Sequence, residues 1–170
     1  MSDAGQAPAP AVKPRYRSVL FICAANTARS VIAEHLLRRE LNRRGLDGLI
    51  CVRSAGIAAY ARDGALVSLD TRLALRDIGI ELAEEASSTD LKHHPELLEA
   101  ADLALAMTEQ QVVELRRGFP VASGREVLTL RAFVGESGDI ADPYEKGSDH
   151  FARCRDEIAR LVTLAADRLL

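Results

Sequence analysis

Residues 19–37, VLFICAANTARSVIAEHLL, restrict what this chain can fold into more than any other stretch. Four apolar residues, Val19, Leu20, Phe21 and Ile22, open it, the kind of run shown by a strand buried on both faces. After a loop of small and polar residues come Ile32, Leu36, Leu37 and Leu41 at helical spacing, with Glu34 and the Arg38–Arg39 pair set toward water. A strand, a tight loop and a helix N-terminus together form an anion site. The first N–H groups of a helix lack intrahelical partners, and its dipole favours negative charge. Successive loop N–H groups turned inward enlarge the donor set.

The loop reads Cys23, Ala24, Ala25, Asn26, Thr27, Ala28, Arg29, Ser30. Arg29 offers a planar fork of donors that grips two oxygens of one phosphate, which a lysine does not copy. A thiol in such a positive field is favoured as thiolate, the nucleophilic form, and Cys23 stands at the strand's C-terminal end. Ser30 can donate to that thiolate or to a phosphate, and Asn26 has the two-sided amide that braces a loop. The bare Cys-to-Arg spacing is common by chance, and a cysteine ending a strand is often only a small core residue. The strand before, the helix after and the lack of bulk between them favour chemistry.

Elsewhere the chain supports one domain over residues 16–170, long enough at 48% hydrophobic for a sizeable core, after an Ala/Pro-rich tail over 1–15 read as disordered. That tail has no apolar segment of the signal-peptide kind, and no apolar run approaches the roughly 18 residues of a membrane span. A net charge of −3 marks neither a nucleic-acid footprint nor a basic membrane face. Three cysteines without a close pair fit a reducing cytoplasm rather than a disulfide framework or zinc site, and no metal or cofactor is expected. His93 and His94 read as a solvated pair.

Further strands are expected over 49–53, 102–107 and 127–130, with Cys51 and Cys154 assigned to the core. Helices are expected over 66–78, with Leu66, Leu69, Leu73 and Ile78 on one side and Gly79 as the stop. Another lies over 91–100, broken near Pro95. A third runs from a Thr108-x-x-Gln111 capping box to Gly118, and a last one from a cap at Ser148 or Asp149 to the C-terminus. Strands alternating with helices require a parallel sheet covered on both faces. Ser54, Ala55 and Gly56 follow the second strand, and the long polar loop over 135–149 holds Asp142, Pro143 and Tyr144. From the residues alone the first is as readily an ordinary strand-end turn, and the second reads as an ordinary Asp-Pro turn.

These motifs resemble, in order, those of the low-molecular-weight protein phosphatases: Cys23 to Arg29-Ser30, Ser54-Ala55-Gly56, the run over 101–108 and Asp142-Pro143-Tyr144. The likeness covers residues 17–170. Ala25, Ala28 and Val31 depart from the family's usual Gly, Cys and Pro. The resemblance implies an α/β fold, a three-layer doubly wound sandwich with a four-stranded parallel sheet in the order 2-1-3-4. It implies Cys23 as nucleophile, Arg29 and the loop N–H groups as phosphate holders, and Asp142 as general acid. Ser54 would support Asn26, and Tyr144 would wall the substrate slot.

The expected activity is hydrolysis of a phosphorylated protein side chain through a phosphocysteine, releasing inorganic phosphate. The family is of tyrosine-phosphatase type, but Thr27 stands where its phosphotyrosine enzymes generally carry a bulky aliphatic residue. Thr there resembles the branch acting on phosphoarginine, and the run over 103–108 and the loop ahead of Asp142 look closer to that branch too, while Tyr144 suits either substrate. The tyrosine-type activity is the first reading and arginine specificity its alternative. An arsenate reductase is a third reading. It needs further cysteines placed to carry a disulfide outward, and Cys51 and Cys154 read as core.

Overall fold

The computed structural model describes residues 11–170, so most of the tail assigned from sequence lies outside the described residues. Four strands, β1 Ser18–Cys23, β2 Cys51–Gly56, β3 Leu103–Ala106 and β4 Glu126–Thr129, form one parallel sheet in the order β2-β1-β3-β4. Among the described residues six α-helices accompany them: α1 Arg29–Arg43, α2 Leu69–Arg76, α3 Glu96–Glu99, α4 Glu109–Gly118, α5 Leu130–Phe133 and α6 Ser148–Leu169. Helices α1, α5 and α6 cover one face, and α3 and α4 the other. No helix among the described residues is long and apolar enough to cross a membrane.

The alternation of side chains along β1 explains the layering. Val19, Phe21 and Cys23 enter the core shared with α1 and α6, while Leu20 and Ile22 enter the core shared with α3 and α4. All five are at most 3% exposed, so this central strand is continuous apolar sequence without visible alternation. The order reverses at β1, between β2 on one side and β3 on the other, and the crevice beyond its C-terminal end opens at that switch.

Several boundaries and burials differ from the sequence reading. The second strand begins at Cys51 and runs through Gly56, so Ser54 lies inside it. Cys51 is exposed rather than core, because β2 is an edge strand and Cys51 and Arg53 share the face its neighbours leave uncovered. The segment over 66–78 is helical only for Leu69–Arg76, and its leucine stripe faces outward: Leu66 and Leu69 are each 69% exposed. Val67, Thr71, Ala74 and Leu75 pack inward in its place. Residues 91–100 split into a 3₁₀ turn, Leu91–His93, and the short α3, because Pro95 has no N–H to continue the first turn. The fourth strand stops at Thr129, whose side chain caps α5. Helix α6 starts after Gly147 at φ +94 without a side-chain cap, so neither Ser148 nor Asp149 serves as one. The Thr108–Gln111 capping box forms as expected and α4 ends at Gly118.

Parallel register sets Gly56 beside Cys23 and Cys51 beside Ser18, at opposite ends of β1. At Gly56 the loop after β1 folds so close that an added Cβ would lie 2.7 Å from the Ala24 carbonyl oxygen and 2.8 Å from the Ala25 carbonyl carbon. Both contacts are backbone and neither yields without moving the loop. We expect Gly56→Ala to cost about 1–3 kcal/mol in urea or thermal unfolding. Gly124→Ala, which meets open space, should be close to neutral. Equal stability of the two variants would contradict the close approach.

Candidate active site

The loop between β1 and α1 wraps around the Cys23 thiol. The Asn26 N–H donates to Sγ at 3.3 Å, and the Ser30 hydroxyl lies 2.9 Å from it. The N–H groups of Ala24, Ala25, Thr27 and Ala28 make no hydrogen bond among the described residues. Loop donors left without protein partners in this way suit the oxygens of a tetrahedral anion. The Ala24 carbonyl is turned the other way, accepting from Ile57 and Ala58 at 3.0 Å each. Ala28 holds the position before α1 and makes no side-chain cap, so Thr27 is not the helix cap either.

Asn26 determines this shape. Its φ is +59, in the left-handed region, which costs little for Asn and more for most other side chains. Its amide NH₂ donates to Ser30 Oγ at 2.8 Å and Ser54 Oγ at 2.9 Å, and its amide oxygen accepts from the Thr89 N–H at 2.8 Å. Ser54 in turn donates to Glu34, and Glu34 pairs with Arg38 at 2.5 Å. Glu34 therefore does not face water as its helical position suggests; its side chain is 14% exposed. The Thr27 carbonyl is held by the Ser68 N–H at 3.3 Å and the Thr71 hydroxyl at 3.0 Å, which docks the start of α2 against the loop.

Arg29, 6% exposed, reaches from the first turn of α1 across the mouth. It donates to the Ile140 carbonyl at 2.8 Å and lies 3.5 Å from an Asp142 carboxylate oxygen. Ile140 is fully buried and donates its N–H to the Met107 carbonyl at 2.9 Å, so the polar loop is pinned beside the end of β3 just ahead of Asp142. Asp142 itself keeps a half-exposed side chain, and its other oxygen accepts the Tyr144 N–H at 3.0 Å.

A slot of about 320 Å³ stands over the loop. Cys23, Thr27 and Arg29 line it together with Asp142 and the rings of Tyr60, Tyr144 and Phe151. The structure thus brings together Cys23, Arg29, Asp142 and Tyr144, and joins Ser54 to Asn26. Glu34, Tyr60, Ile140 and Thr89 carry no local sequence signal, and Phe151 is indistinguishable from the rest of its core stripe.

Of the remaining cysteines, Cys51 lies apart from this chemistry, whereas Cys154 is buried near enough to Cys23, Arg29 and Asp142 to feel their charges. Cys51 stands five residues along the sheet from the level of Cys23, about 16 Å at the usual rise. Burial pushes the Cys154 thiol up to about 12, which leaves it protonated and unreactive. Among the described residues no group of three or more His, Cys, Asp and Glu is placed to hold a metal ion. His93 and His94 gather instead around Asp63, whose carboxylate lies 3.0 Å from His94 Nε2.

Known proteins share this architecture. The family model for low molecular weight phosphotyrosine protein phosphatase matches residues 18–169. A protein-arginine-phosphatase of Geobacillus stearothermophilus is 34% identical over 152 residues, covering 89% of this chain and 95% of its own. A low molecular weight protein-tyrosine-phosphatase of Acinetobacter johnsonii is 29% identical over 154 residues, covering 90% and 96%. The solved structure of a cysteine-to-serine mutant of the YwlE arginine phosphatase, with a phosphorylated active-site serine, superposes with a TM-score of 0.80 at 33% identity, covering 89% and 95%. With its Cys23 loop, its 2-1-3-4 sheet and a match along nearly its whole folded length, the chain belongs to the low molecular weight phosphotyrosine protein phosphatase family and is a cysteine-dependent phosphoprotein phosphatase.

Proposed function

We propose that this phosphatase acts on phosphoarginine in proteins, through a phosphocysteine on Cys23, and that it works in the cytoplasm, where its three unpaired cysteines stay reduced. The observation that carries the arginine reading is Thr27 on the lining of the slot, in the loop that would hold the phosphate, so that its side chain would border the atoms bonded to phosphorus. A hydroxyl there can partner the N–H groups of a guanidinium, which an aliphatic side chain would leave unpaired. The arginine-phosphatase relative at 34% identity points the same way.

In the proposed reaction the loop N–H groups and Arg29 hold the three non-bridging phosphate oxygens, with Cys23 below the phosphorus. The thiolate attacks in line, forming the S–P bond as the P–N bond to the guanidine breaks, and Asp142 gives its proton to the departing nitrogen. Water then attacks phosphorus, Asp142 takes its proton, and the S–P bond breaks to release inorganic phosphate and regenerate the thiolate. Donors fixed before the reaction stabilise the charge spreading over the equatorial oxygens. The Ser30 hydroxyl 2.9 Å from Sγ stabilises the thiolate as it leaves.

Phosphotyrosine is the second reading, favoured by the three aromatic rings of Tyr60, Tyr144 and Phe151 on the slot wall. An arsenate reductase has less support, since Cys51 is about 16 Å along the strand and Cys154 is buried and protonated.

Two substitutions test this reading. Asp142→Asn should lower kcat/KM, which reports the steps up to departure of the leaving group, by at least about a hundredfold for poor leaving groups and far less for good ones, because good ones depart without a proton. Equal losses across an aryl phosphate series would reduce Asp142 to a part of the loop. Thr27→Ile should lower kcat/KM on a phosphoarginine peptide by roughly ten- to a hundredfold, since one unpaired buried donor costs about 1–3 kcal/mol. On the matching phosphotyrosine peptide it should spare or raise the rate. Parallel losses on both peptides would remove the support for arginine.

A further inference from the structure

A second depression adjoins the slot and shares Ala24, Arg29, Tyr60 and Asp142 with it. It is the larger of the two, about 680 Å³, and lies between the segment after β2, the start of α4 and the stretch before Asp142. Its floor is aliphatic, made by Ile57, Ala58, Ala59 and Ala141. Its polar rim is acidic: Glu114 on α4, Asp139 and Asp142, all exposed.

Arg29 is the one cation on this lining among the described residues. It is buried, donates to the Ile140 carbonyl and lies 3.5 Å from Asp142, so Asp142 is balanced while Glu114 and Asp139 have no cationic partner on the lining. Lys92 touches the floor from outside through the Ala58 carbonyl and is neutralised by Asp90 at 2.8 Å. Asp139 accepts the Glu109 N–H at 2.9 Å, and Glu114 accepts from Gln110 at 3.2 Å, and both of these partners are neutral groups.

The rim and floor match one type of side chain. Lysine and arginine lay an apolar stem along an apolar surface and keep the charged head at its edge. The position of the depression selects its occupant. When a phosphorylated side chain fills the slot, the residues beside it in the substrate chain must cross the adjoining surface, one every 3.3 Å or so if extended. The shared walls make this depression a continuation of the slot for that chain.

We propose that the acidic depression beside the slot is a subsite for a lysine or arginine neighbouring the phosphorylated residue, so that the enzyme prefers phosphoproteins dephosphorylated within basic segments. The subsite rests on the phosphatase reading and adds to it the sequence context of the substrate. It applies to phosphoarginine and phosphotyrosine alike, because Glu114, Asp139 and the aliphatic floor lie outside the slot that takes the phosphorylated side chain.

Phosphopeptides differing only in their flanking residues, lysine, glutamine, leucine or glutamate on either side, test it by kcat/KM at low and high salt. The lysine peptide should exceed the glutamate peptide by roughly tenfold, with glutamine between, and salt should narrow the gap because rim charges are screened. Glu114→Lys should bring that ratio to one or below, with an unchanged melting curve as evidence of folding. A ratio near one in the wild type, a ratio that survives Glu114→Lys, or a leucine peptide surpassing the lysine peptide would each overturn the subsite. Wild-type turnover of para-nitrophenyl phosphate, which has no flanks, separates the two failures. Without that turnover the phosphatase reading itself falls; with it and no flank preference, only the subsite does.

Discussion

Both ends of the Asn26 amide are engaged, and the rest of the site depends on that one side chain. It holds the loop's left-handed turn, ties the loop to β2 through Ser54 and to the segment before the 3₁₀ turn through Thr89, and orients Ser30 toward the thiol. A loop whose N–H groups point at a ligand has given up the backbone partners that would otherwise fix it. The residues behind it must supply that order, and here they do so with fully satisfied buried donors. The chain of contacts runs outward through Ser54, Glu34 and Arg38 to the surface of α1. Substituting any inner member leaves a polar group buried without a partner, which costs more than the bond itself contributes.

A second constraint works from the opposite side of the phosphate. Arg29 and Asp142 come from parts of the chain more than a hundred residues apart, and Ile140 brings them together. Burying its side chain against the end of the sheet fixes the loop, while its carbonyl receives the guanidinium. The ionic contact between Arg29 and the half-exposed Asp142 is long at 3.5 Å, and in water such a pair contributes little to stability. Its value lies in position, since a carboxyl group there stands at the mouth, where a leaving group would depart.

Local pattern revealed much of this. The strand–loop–helix around Cys23, the capping box at Thr108 and the closing helix stripe are written in contiguous residues, so short-range physics specifies them. What could not be read depended on the neighbours that tertiary structure supplies. Cys51 sits in an apolar run like any core strand residue, and only the edge position of β2 exposes it. Leu66, Leu69 and Leu73 have helical spacing, yet the helix turns Ala74 and Leu75 inward because α6 approaches closely. Glu34 looks like a solvated helix residue until Ser54 arrives from another strand. Ser54 and Asp142 were legible only through resemblance, since a strand end and an Asp-Pro pair carry no chemistry by themselves.

The nucleophile can be identified by trapping. Asp142→Asn removes the base that hydrolyses the intermediate as well as the acid that forms it, so a substrate with a good leaving group should load the enzyme faster than water unloads it. After rapid quench and digestion, mass spectrometry should find one phosphoryl group on the peptide containing Cys23, and none when Cys23→Ser is combined with it at the same early time. Phosphate on a histidine, or on a serine other than one introduced at that position, would contradict a cysteine mechanism built on this loop.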